Sequence, residues 1–81
     1  MFLQHLRAKR EDYALTQYDI CRYLKVSDVA YRTWEQGVRK PSEKHLVELK
    51  RIFRILETCN GAKGCTASVR ETNRKILDKE F

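Results

Sequence analysis

Apolar residues recur at three- and four-residue spacing along most of the chain, the signature of amphipathic helices. Phe2, Leu3, Leu6 and the stem of Arg10 share one face, which predicts a first helix over about Phe2 to Asp12. Thr16-Gln17-Tyr18-Asp19 then places an acid three positions after a hydroxyl, the capping-box arrangement that satisfies otherwise unpaired N–H groups. A second helix begins there, turns Ile20, Cys21 and Leu24 inward, and ends around Leu24, because a new cap, Ser27, arrives after only Lys25 and Val26. The third helix carries Ala30, Tyr31 and Trp34 and closes near Gln36-Gly37, where glycine can adopt the left-handed conformation.

Val38-Arg39-Lys40 is a basic loop, and Pro41-Ser42 signals the next start. Leu46, Leu49, Ile52, Phe53 and Leu56 predict a fourth helix running to about Thr58. Asn60-Gly61-Ala62-Lys63-Gly64 is a glycine-punctuated turn, and Val69, Ile76, Leu77 and Phe81 predict a final helix from roughly Thr66 to Lys79. With no period-two alternation, the fold class is all-α.

A length of 81 residues allows one small domain and excludes a two-domain enzyme. The 17 basic and 11 acidic residues leave a net charge of +6, which favours a polyanionic partner, nucleic acid before membrane headgroups. Because +4 lies up to Phe53 and +2 beyond it, the charge belongs to the folded part and not to a basic tail. No run approaches the ~18 apolar residues of a membrane span, and Met1-Phe2-Leu3-Gln4-His5 does not begin a secretory leader, so a cytoplasmic location is expected. The three cysteines match no zinc spacing and are expected as reduced thiols. Cys59 and Cys65 flank the glycine turn; an oxidative bridge, or a metal shared with His45 or Cys21, is the alternative there. His5 and His45 have no partnered Ser, Cys or carboxylate motif, so neither an enzyme nor a cofactor is expected.

The second and third helices, joined by a very tight turn, meet the description of a helix-turn-helix. Leu15-Thr16-Gln17, the small Cys21 four positions after Gln17, Val26-Ser27, Glu35-Gln36-Gly37 and Lys40-Pro41-Ser42 together resemble the phage-repressor-like (Cro and XRE type) DNA-binding family over about Leu6 to Phe53. The resemblance implies a compact five-helix, lambda-repressor-like domain with the helix-turn-helix at helices two and three, occupying residues 1–58, followed by a loop and C-terminal helix at 59–81. It implies that Asp28, Val29, Ala30 and Thr33 read base edges, and that Gln17 meets an outer base or a phosphate. Val29 and Ala30 offer methyl groups suited to thymine, Thr33 a hydroxyl or a methyl, and Asp28 an acceptor for cytosine N4 or simply a partner for the helix dipole. Arg22, Lys25, Arg32, Arg39, Lys40 and Lys44 form the expected phosphate-contacting rim. Arg10 and Glu35 occupy positions that form an interhelical ion pair in the family.

Lys25 and Ala14 stand where the family usually has glycine; if left-handed, each costs about 1 kcal/mol. Val69, Ile76, Leu77 and Phe81 are apolar near the C-terminus and fit a homodimer contact or packing on the same chain. The functional expectation is a sequence-specific transcriptional regulator, a phage or mobile-element repressor that binds a palindrome in double-stranded DNA as a homodimer. The alternative is an antitoxin-like protein whose C-terminal segment binds a toxin while its helix-turn-helix autoregulates.

Overall fold

A computed structural model describes residues 2–81, with side chains from residue 4 onward; the inward placement expected of Phe2 and Leu3 lies outside the described side chains. A 3₁₀ turn over Phe2–His5 leads into α1 (Leu6–Asp12), followed by α2 (Gln17–Leu24), α3 (Asp28–Gln36), α4 (Glu43–Thr58) and α5 (Ala67–Glu80). The single first helix expected over Phe2 to Asp12 is therefore divided at His5. No side-chain cap meets the N-terminus of α1, and the preceding turn tightens to 3₁₀ geometry, a frequent device at uncapped helix starts. The other four helices begin at hydroxyl caps, Thr16, Ser27, Ser42 and Thr66, each accepting a backbone N–H in the first turn.

One core draws on every helix. Leu6 comes from α1, Ile20, Cys21 and Leu24 from α2, Tyr31 and Trp34 from α3, Leu49, Ile52, Phe53 and Leu56 from α4, and Leu77 from α5. Leu77 is 1 % exposed and is taken up by the protomer's own core, against which the half-buried Ile76 and Phe81 also pack. Val69 is half-buried. The boundary expected after Thr58 coincides with the end of α4, yet α5 completes the core that α1 to α4 begin.

Polar fastenings seat α5. Asn73 is wholly buried: its Nδ2 donates to the carbonyls of Tyr13 and Ala62, both at 2.8 Å, and its Oδ1 accepts from Ala62 N at 2.9 Å. The same amide thus ties together the loop after α1 and the loop before α5. Gly61 is needed in that second loop for space, since a Cβ there would stand 2.7 Å from the Leu56 carbonyl oxygen and 3.1 Å from Asn73 Oδ1. Arg70 donates through Nε and Nη2 to the two oxygens of Asp19 at 2.8 and 2.9 Å, with Arg74 at 3.7 Å. Asp19 is buried and also closes the Thr16 capping box. Burial alone would raise its pKa, but Arg70 and the Thr16 bonds outweigh burial and hold it below the ordinary value. The Tyr23 hydroxyl donates to Asp78 Oδ1 at 2.7 Å, and the Tyr23 ring meets Phe81 with centroids 5.9 Å apart. Burial first, then this bond to Asp78, push the phenol up to about 12.

Candidate nucleic-acid interface

The geometry of α2 and α3 is set by their ends. Thr16 Oγ1 accepts from Asp19 N at 3.1 Å while Asp19 Oδ2 accepts from Thr16 N at 3.0 Å, so α2 starts at a defined residue. Lys25 terminates it in the left-handed conformation (φ 57°), and Ala14 in the preceding loop is left-handed as well (φ 58°). Both positions therefore carry the backbone strain that glycine would avoid. Ser27 Oγ accepts from Ala30 N at 3.1 Å to open α3, and Gly37 (φ 76°) closes it. Only residues 25–27 separate the two helices, which fixes their crossing.

The inner face of α3 is anchored by Tyr31 and Trp34, whose rings meet edge to face at 5.8 Å; Trp34 in turn packs on His45 of α4 at 5.5 Å. Cys21 is buried at the α2–α3 crossing, and burial, followed by the charges of Asp28 and Glu35, pushes its thiol up, which keeps it a packing group. With that side occupied, α3 presents Asp28, Val29, Arg32 and Gln36 to solvent; Val29 is 64 % exposed. Ala30 and Thr33 are half-buried at the margin of this face. The Thr33 hydroxyl donates to its own helix at Ala30 O, 2.6 Å away, so its proton is committed there, leaving the oxygen as an acceptor and the methyl group for an outside contact.

Arg10 and Glu35 tie α1 to the end of α3. Arg10 Nε lies 2.7 Å from Glu35 Oε2 and Nη2 lies 3.3 Å from Oε1, with the side chains 11 % and 5 % exposed. Arg10 Nη1 also donates to Leu15 O at 2.9 Å. Gln17 Nε2 donates to Glu35 Oε1 at 3.0 Å, so one of its two amide N–H groups is held within the protein and the other, with the carbonyl oxygen, is left for an outside contact. Burial would raise the Glu35 pKa, but the bonds from Arg10 and Gln17 outweigh it and lower the value. The Tyr31 hydroxyl is buried nearby without a hydrogen bond of good geometry, and burial together with the Glu35 charge shifts its ionisation far upward.

Arg22, Lys25, Arg39, Lys40 and Lys44 are all exposed and form no ion pair among the described residues. Arg32 differs, because its Nη2 sits 2.9 Å from Asp28 Oδ2. Two residues that matter here were not singled out by the sequence pattern. Tyr18, 68 % exposed in the first turn of α2, lines the depression of about 590 Å³ between α2 and α3. Its position directly after Gln17 in a capped first turn was the available signal. Arg70 had none, since its partner Asp19 is 51 residues away.

Cys59 and Cys65 are exposed free thiols, and no group of three or more His, Cys, Asp or Glu among the described residues is arranged to hold a metal ion. No helix among the described residues is long and apolar enough to cross a membrane. A family model described as Helix-turn-helix matches residues 6–58, the span from α1 through α4. No curated protein and no solved structure matches the chain.

Proposed function

Since the chain belongs to the helix-turn-helix family and is a DNA-binding transcription regulator, we propose that it represses a phage or mobile-element operon by binding a palindromic operator as a homodimer. The observation that carries this reading is the uncovered outer face of α3, flanked by exposed cations that have no partner ion among the described residues. An α-helix fits the major groove, and its N-terminal half reaches base edges. Asp28, Val29, Ala30 and Thr33 supply those contacts, with the Gln17 side-chain amide and the edge of α2 at an outer base or phosphate. Arg22, Lys25, Arg39, Lys40 and Lys44 supply the phosphate contacts, and the affinity they bring falls with salt. A repressor of this kind works by occupying a promoter, in two half-sites about one helical turn apart.

The dimer surface includes the parts of α5 and its flank still open to a second copy, namely the exposed edges of Val69, Ile76 and Phe81. Leu77 is taken up by the protomer's own core, which weighs against an antitoxin role built on the apolar face of this helix. Selection of bound duplexes from a random pool tests the proposal, with a two-fold symmetric motif expected. Arg39→Ala is expected to weaken binding to all sequences alike and lower the slope of log affinity against log salt by about one. A motif without symmetry, or an Arg39→Ala slope equal to that of the unaltered chain, would overturn the corresponding part.

A further inference from the structure

Among the basic residues around the reading helix, Arg32 is the one with a carboxylate partner on the same outward face. Its Nη2 donates to Asp28 Oδ2 at 2.9 Å, and both side chains stay largely in solvent, 51 % and 63 % exposed. The acid precedes the base by four residues, the orientation that suits the helix dipole. An exposed pair of this type contributes little to stability, so its effect lies in what it presents. Asp28 is the first residue of α3, where a bare carboxylate facing a duplex would be repelled by phosphates; Arg32 neutralises it.

A guanidinium has five N–H donors in a rigid fork, and the bond to Asp28 occupies one of them. That bond also favours one orientation of the fork before any ligand arrives, which reduces the ordering cost of a second planar contact. In the major groove the acceptor pair matching such a fork is guanine O6 and N7, and the donor matching the second Asp28 oxygen is the cytosine N4 amino group. Both chemistries belong to a G·C pair or to adjacent G·C pairs.

Resting on the DNA-regulator reading above, we propose that Asp28 and Arg32 act as one reading unit: the carboxylate orients the guanidinium onto a guanine edge and accepts from a cytosine amino group with its other oxygen. Arg32 is then a specificity-determining residue and not a phosphate clamp, and each half-site carries G·C opposite the first turns of α3.

The test uses the full chain, duplexes recovered by selection from a random pool, the same duplexes with each G·C pair changed to A·T in turn, and a random-sequence duplex. Arg32→Ala is expected to lose about ten- to a hundredfold on the selected duplex and far less on the random one. Arg32→Lys, which keeps the charge without the fork, is expected to behave likewise, as is Asp28→Ala. The double variant is expected to be no worse than either single one, with preference at one G·C position gone in all of them. Equal weakening on selected and random duplexes, restored by Arg32→Lys, would overturn the proposal and return Arg32 to the phosphates. So would Asp28→Ala tightening the grip on every duplex. Failure of the unaltered chain to bind any duplex would instead remove the regulator reading, and this one with it. Both side chains are exposed, so an unchanged unfolding midpoint confirms that the variants report on binding.

Discussion

Replacing Arg10 by methionine tests how firmly α1 is tied to the end of α3. The Glu35 carboxylate is 5 % exposed and receives Arg10 at 2.7 and 3.3 Å and Gln17 at 3.0 Å. Methionine preserves much of the stem but leaves the buried carboxylate with the Gln17 amide alone, and it removes the 2.9 Å donor to Leu15 O. Stranding one member of a buried pair costs about 3 to 5 kcal/mol. A chain of this length has a total stability of about 4 to 12 kcal/mol, so the variant is left close to unfolding. At about 4 to 8 °C per kcal/mol, the midpoint of thermal unfolding should fall by at least about 12 °C. Thermal and urea unfolding followed by far-UV circular dichroism measures this. Glu35→Leu should cost a similar amount, and Arg10→Met with Glu35→Leu should recover most of the loss, because an apolar pair strands no charge. An Arg10→Met loss below about 1 kcal/mol, the value of an exposed pair, would refute the reasoning and imply that water reaches the pair.

Acid should unfold the protein through Asp19 and Glu35. Both titrate below their ordinary values of 3.8 and 4.5 when folded, so the unfolded chain binds more protons and stability, complete above about pH 4.5, is lost as pH falls through the folded values. A urea midpoint that rises between pH 5 and 3 would contradict this. Thr33→Val should keep the operator preference, whereas Thr33→Ala should change it at one base pair, because the hydroxyl proton is committed to Ala30 O and the methyl group is the apolar contact expected of this position; loss of preference in both variants, read by competition binding, would show the hydroxyl oxygen to be the contact. Lys25→Gly should stabilise the fold by up to about 1 kcal/mol by relieving a left-handed backbone, and should lower DNA affinity and its salt slope by removing a cation; the two effects are separated by unfolding and binding titrations on one sample.

Local signals were legible wherever one short stretch contains the whole arrangement. Thr16 with Asp19, Ser27 and Gly37 mark the limits of α2 and α3 because a cap and its partner are at most a few residues apart. The apolar spacing of α4 likewise needed no tertiary knowledge. The first helix was harder, because the pattern runs on through His5 while the missing cap decides where α geometry begins. At the C-terminus the spacing of Ile76, Leu77 and Phe81 says that a surface covers them, but not whose; the α4–α5 packing and the Asn73 bonds supply the answer for Leu77. For Gln17 and Thr33, periodicity cannot reveal that Glu35 and Ala30 already hold part of their hydrogen-bonding capacity.

The seat of α5 also joins distant parts of the chain. Its fastenings to Asp19, Tyr13 and Tyr23 span 51, 60 and 55 residues, whereas α2 and α3 meet across three. Closing such wide loops costs more chain entropy than closing a tight turn, so a break in the chain between α3 and α5 loosens the hold of the last helix while leaving the α2–α3 turn intact.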